Sequence, residues 1–86
     1  MFYAYVIENQ QAKRYTGSTS DLSERLEMHN NDSLETRRFH YSTYRKGPWN
    51  IIFSKAFEQR QEALNFERFL KTGTGRKWLE RARLGG

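Results

Sequence analysis

Five side chains in this sequence supply the groups that phosphodiester hydrolysis demands. Tyr5 and Tyr15 lie ten positions apart, Arg25 and His29 follow four positions apart, and Glu67 stands far along the chain. Cutting a phosphodiester requires a group that activates water, in-line geometry, neutralisation of transition-state charge, and help for the leaving oxygen. A phenol or imidazole of suitable pKa can move the proton. An arginine can grip non-bridging oxygens bidentately, and a carboxylate can carry a divalent cation that polarises the phosphate. Each residue also has a plainer role. The tyrosines suit half-buried strand positions, His29 suits a helix C-terminus as a cation, and Arg25 can pair with Asp21 at helical spacing. Glu67 borders the apolar stripe of Ala63, Phe66 and Leu70, where a carboxylate suffers desolvation. A metal ion would offset that cost; so would an ordinary ion pair with Arg68 or Lys71.

The elements that must position these groups follow from local patterns. Residues 2–8 alternate over bulky, β-prone side chains, and residues 13–17 make a second short strand after a polar stretch of hairpin-loop length. On the period-2 rule Tyr3, Tyr5 and Ile7 share one face while Phe2, Ala4 and Val6 take the other. The pairing register, which decides whether Tyr5 and Tyr15 meet, stays open at this level. Ser18-Thr19-Ser20-Asp21 is an N-cap cluster, and Asp21 with Glu24 has capping-box spacing, so a helix is predicted over 21–30. Leu22 and Leu26 would face the core, with Arg25 and His29 on an adjoining stripe. Residues 31–49 lack a steady period and read as a long loop. A third strand over 49–57, a helix over 60–71, a break at Thr72-Gly73-Thr74-Gly75 and a basic helix over 76–83 complete the order β-β-α-loop-β-α-α.

The bulk composition narrows the class. With 86 residues, one small domain over 1–84 is expected, followed by a frayed Gly85-Gly86 tail. There is no cysteine, which excludes disulfides, thiolate metal sites and a cysteine nucleophile. Neither a signal peptide nor an apolar run of the roughly 20 residues that span a bilayer is visible, so a soluble cytoplasmic protein with no membrane contact is the expectation. Charge is unevenly placed. The first 36 residues hold three basic and six acidic side chains, and the remaining fifty hold twelve and four. A cationic second half suits either a polyanion partner or a solvated basic surface.

Taken in order, these residues resemble the GIY-YIG nuclease family, especially its small single-domain bacterial members related to the N-terminal nuclease of the excision-repair protein UvrC. Tyr3-Ala4-Tyr5 stands where the family has its first tripeptide and Tyr15-Thr16-Gly17 where it has the second. Gly17 through Leu22, Arg25-Leu26 and His29-Asn30 follow the family's turn and helix. Gly47-Pro48-Trp49, Glu62-Ala63-Leu64 and Gly73 through Leu79 continue the match over nearly the whole chain. Tyr3-Ala4 and Thr16 depart from the small and aliphatic residues usual at those places. The resemblance implies an α+β fold around a small three-stranded antiparallel sheet flanked by helices, and DNA cleavage with one divalent metal, Mg²⁺ or Mn²⁺. By position, it implies Tyr5 and Tyr15 as the family's tyrosine pair, one of which orients or deprotonates water. Arg25 corresponds to the phosphate-binding arginine, His29 to the histidine that aids proton transfer, and Glu67 to the metal ligand.

Cations that could meet DNA, duplex or branched, are Lys13, Arg37, Arg38, Arg45, Lys46, Lys71, Arg76 and Lys77. Residues 37–46 interleave cations with aromatics, a mixture suited to phosphate contact and base stacking, or to a solvated loop tethered by its rings. Exposed amides near Gly73 and Gly75 could bind phosphate, or the glycines could simply turn the chain between helices. Two other readings compete with the enzyme. One is a non-catalytic nucleic-acid-binding module; the other is a nuclease subunit that relies on a protein partner for targeting.

Overall fold

The computed structural model describes residues 1–31 and 46–85. The aromatic-rich loop, with Arg37, Arg38, His40 and Arg45, lies almost wholly outside them. Three strands, β1 (Phe2–Glu8), β2 (Arg14–Thr19) and β3 (Asn50–Phe57), and three helices, α1 (Leu22–Asn30), α2 (Arg60–Leu70) and α3 (Gly73–Gly85), follow the predicted order. The sheet is antiparallel with strand order β2-β1-β3.

Alternation along β1 divides the core into two halves. Ala4 and Val6 are buried on one face against Leu70 of α2 and Leu79 of α3, with Phe53, Phe57, Phe66 and Phe69 packed around them. Tyr5 and Ile7 are buried on the other with Trp49, flanked by Leu22 and Leu26 of α1 and by Tyr15. The sheet is thus the middle layer of three, α1 above and α2 with α3 below. A register shift between Val6 and Ile7 leaves Ile52 as the extra residue of a bulge on β3. The neighbours Ile52 and Phe53 consequently serve one half of the core and Ile51 the other.

Strand β2 runs two residues further than the sequence pattern predicts. The pairs Tyr3↔Thr19 and Ala4↔Ser18 continue the ladder, so Ser18 and Thr19 are strand residues rather than part of a cap. Asp21 alone caps α1, accepting from the Glu24 amide at 3.0 Å, while its own amide donates to the Thr19 hydroxyl. The last helix also starts earlier than Arg76. Its cap is Thr72, whose hydroxyl accepts from the Gly75 amide, so Gly73 and Gly75 lie inside α3 and not in a turn. A Cβ on Gly75 would fall 1.8 Å from the Phe69 carbonyl oxygen, so only glycine lets α3 pack on the end of α2.

Two asparagines tie the loop ends to this frame. Oδ1 of Asn9 accepts from the amides of Gln11 and Lys13, and its Nδ2 donates to the Lys46 carbonyl. Asn30 pairs with both the amide and the carbonyl of Trp49, joining the end of α1 to the start of β3. Among the described residues no helix is long and apolar enough to cross a membrane.

Candidate active site

Register decides whether the two tyrosines meet. Tyr5 pairs with Gly17 and Ile7 with Tyr15, so Tyr5 and Tyr15 sit diagonally on one face of the β1–β2 ladder. Their ring centroids are 6.4 Å apart. Gly17 opens the space between them. A Cβ there would lie 2.7 Å from the Tyr5 hydroxyl and 3.1 Å from Cε1 of Tyr15. Gly17→Ala should therefore push the Tyr5 phenol off its partner. The expected loss is about 100-fold in any Tyr5-dependent activity, with about 1–3 kcal/mol of stability lost to overpacking. Activity measurements beside a urea titration check both; a variant as active as the native chain would show that the phenol tolerates displacement.

Helix α1 lays His29 over this pair. His29 is 1% exposed and Tyr5 is 2% exposed, and Tyr5 Oη lies 2.9 Å from His29 Nε2. The His29 ring also packs 4.9 Å, centroid to centroid, from Tyr15. A buried phenol resists ionisation, and burial is the main reason that the Tyr5 pKa rises far above its ordinary value. Tyr15 and Glu67 push it the same way; Arg25 opposes them through its charge and its donor groups. The phenol therefore keeps its proton, and an imidazole whose own proton sits on Nδ1 presents Nε2 to it as the acceptor.

This shift has a consequence for stability. The unfolded chain loses the Tyr5 proton near pH 10, whereas the folded protein still holds it. The contribution is complete below the unfolded value and is lost as the pH climbs toward the raised folded one. Unfolding free energy should fall between about pH 9 and 11, and Tyr5→Phe should flatten that slope. Denaturant midpoints at the two pH values measure it; an equal slope in both proteins would mean that the phenol ionises normally.

Glu67 stands on the opposite layer of the sheet, on α2. Helix α2 packs across β1 and β2, and its Glu67 carboxylate is near enough to raise the Tyr5 pKa. Its side chain is 17% exposed and accepts from Lys71 Nζ at 2.8 Å, one turn on, where Lys71 is 54% exposed. The ion-pair role foreseen for Glu67 is thus realised with Lys71. So exposed a lysine at helical spacing contributes at most about 0.5 kcal/mol, so the pair is readily exchanged. Arg25 is half-buried and lines a cavity of about 280 Å³ together with Ser18, Ser20, Arg60 and Ala63. Tyr5, Tyr15 and His29 are in mutual contact, and Arg25 and Glu67 act on the same phenol.

The other cations are not all in one place. Lys71 and Arg76 line a second cavity, about 410 Å³, with Arg14, Tyr15 and Glu80. Lys13 and Lys46 flank Asn9 at the hairpin end, and Lys77 is exposed on α3. Arg37, Arg38 and Arg45 lie outside the described residues. Arg14, which bridges Glu8 and Glu80, is engaged in holding α3 to the sheet. Three residues went unmarked by sequence reasoning. The part played by Gly17 becomes visible once the register is known, Arg60 is a cation at a helix start that points to no ligand until its cavity is known, and Asn9 and its loop partner are 37 positions apart.

The chain matches the sequence profile of the GIY-YIG catalytic domain over residues 1–80. A UPF0213 protein of Streptococcus agalactiae is 35% identical over 72 residues, which cover 84% of this chain and 76% of that one. A UPF0213 protein of Oceanobacillus iheyensis is 32% identical over 69 residues, covering 80% and 74%. One of Clostridium perfringens is 29% identical over 80 residues, covering 93% and 81%. No solved structure matches the chain. With a profile match across nearly its whole length and relatives of this similarity, the chain belongs to the GIY-YIG family of nucleic-acid endonucleases, which generally depend on a divalent metal.

Proposed function

We propose that this protein is an endonuclease that hydrolyses DNA phosphodiester bonds, with Tyr5 and His29 relaying the proton, Arg25 clamping the phosphate and Glu67 holding one Mg²⁺ or Mn²⁺. The observation that carries this reading is the buried 2.9 Å contact between Tyr5 Oη and His29 Nε2, set beside an arginine and a carboxylate. A phenol that keeps its own proton cannot act alone as a base near neutral pH. It can act as a relay, passing its proton to Nε2 while accepting one from the attacking water, so that no free phenolate accumulates. Tyr15 packs on the imidazole and restricts its tilt. Arg25, half-buried and multiply donating, offers a fork to the non-bridging oxygens.

The donor set suits a hydrated oxygen-seeking cation. Among the described residues no cluster of three or more histidine or carboxylate ligands exists, and Glu67 alone is the carboxylate that acts on Tyr5. Mg²⁺ commonly takes one or two carboxylates, keeping water and substrate oxygens as its other ligands, and Mn²⁺ accepts similar donors. Bound there, the metal would supply charge neutralisation at the phosphate and its leaving oxygen.

Supercoiled plasmid incubated with the protein and Mg²⁺ or Mn²⁺ tests the reading. Nicked or linear product that disappears in EDTA is the expected result. Salt-sensitive binding to nicked, branched, single-stranded and duplex DNA without any cutting would instead identify a binding module.

A further inference from the structure

We propose that the cavity between the start of α1 and the start of α2 is a second phosphate subsite, in which Arg60 holds a backbone phosphate flanking the one at Arg25. The subsite rests on the nuclease reading above, since it continues the strand that runs through that site.

Two arginines from helices on opposite layers of the molecule, Arg25 and Arg60, line this one cavity of about 280 Å³. Like charges gathered on a concave surface raise the local potential and attract an anion. Arg14, Lys71 and Arg83 all make ion pairs, whereas neither Arg25 nor Arg60 makes one among the described residues. Arg60 also stands against local preference. It opens α2, where the helix dipole favours acidic side chains and disfavours cations. Departures from local preference are expected at functional sites, and an anion bound at Arg60 would offset this one. Ser18 and Ser20 add hydroxyl donors on the β2 side of the same cavity.

The spacing fits one continuous strand. Arg60, Ala63 and Glu67 are three and seven positions apart and share one face of α2. Seven residues span roughly 10 Å of helix, and the long arginine side chain shortens that interval toward the separation of neighbouring phosphates along a strand. A strand whose scissile phosphate lies beside Arg25 and Glu67 therefore carries a flanking phosphate into reach of Arg60. The chemistry recognised is a phosphodiester anion, gripped by a guanidinium fork.

Fluorescence anisotropy with a short labelled duplex in EDTA, across about 50–200 mM salt, measures binding without cleavage. Arg60→Ala should weaken the dissociation constant about tenfold and lower the salt slope by about one unit. In cleavage assays its loss should fall on KM more than on kcat. Arg60→Lys should restore the salt slope but only part of the affinity, because a lysine still meets phosphate as a point charge without the guanidinium fork. Native affinity and salt slope in Arg60→Ala, or no recovery in Arg60→Lys, would overturn the subsite. If the native protein cuts plasmid while Arg60→Ala binds normally, the subsite fails and the nuclease reading stands. If the native protein binds the duplex, loses affinity on Arg60→Ala and never cuts, the nuclease reading fails instead. A native protein that does not bind DNA at all removes both.

Discussion

Glu67→Gln is expected to lower metal-dependent DNA cleavage by about a thousandfold or more. A carboxylate-held divalent cation contributes several kcal/mol of transition-state charge stabilisation, and about 4 kcal/mol corresponds to roughly three orders of magnitude in rate. The amide keeps the shape of the side chain but loses the charge that binds a hard cation. Loss of fold does not explain such an effect. The pair that Glu67 makes with Lys71 is between a partly exposed carboxylate and a lysine 54% exposed, worth about 0.5 kcal/mol or less. Mn²⁺ titration by calorimetry supplies a readout independent of turnover, and binding should weaken by at least about tenfold. Cleavage that persists unchanged in Glu67→Gln would remove this residue as the ligand.

The second large effect concerns the buried pair. Tyr5→Phe and His29→Gln should each lower kcat by about 10²–10⁴, the range of a positioned proton-transfer group. The double variant should cost little more than either single change, because the two residues move one proton in sequence. Additive losses in the double-mutant cycle would mean that they act separately. Stability has to be followed in parallel. Tyr5→Phe leaves His29 Nε2 without its 2.9 Å partner in a buried site, at a cost of about 1–3 kcal/mol. A small domain of ordinary stability survives that. Far-ultraviolet dichroism of each variant separates a folded, inactive protein from an unfolded one.

Local rules made much of the fold legible. Tyr3, Tyr5 and Ile7 alternate with Phe2, Ala4 and Val6, and this alternation assigned the two faces of β1 that the core uses. Asp21 stood out as a cap because the first turn of any helix leaves amides without partners. Where the local rules were misleading, a distant contact decided the outcome. Ser18 and Thr19 favour caps, yet their pairing with Ala4 and Tyr3 draws them into β2. Gly73 and Gly75 signal a turn, yet packing against Phe69 makes glycine the residue that a helix requires at position 75. Arg60 was marked by no more than a cation in the first turn of a helix; what distinguishes it is a cavity shared with a residue 35 positions earlier.

The chain by itself determined which groups are available: two phenols, an imidazole one turn from a guanidinium, and a carboxylate at the border of an apolar stripe. Their order and spacing sufficed to identify the family. Tertiary structure decided how they meet. Tyr5 and Tyr15 share a face because the ladder pairs Tyr5 with Gly17; a shift of one residue would send every side chain of a strand to the other side. The Glu67 charge adds to the upward shift of the Tyr5 pKa because α2 packs on β1 and β2. The protonation of Tyr5 was likewise beyond sequence reasoning. Desolvation and the fields of Tyr15, Arg25 and Glu67 set it, and those depend on neighbours brought close by folding, not by chain order.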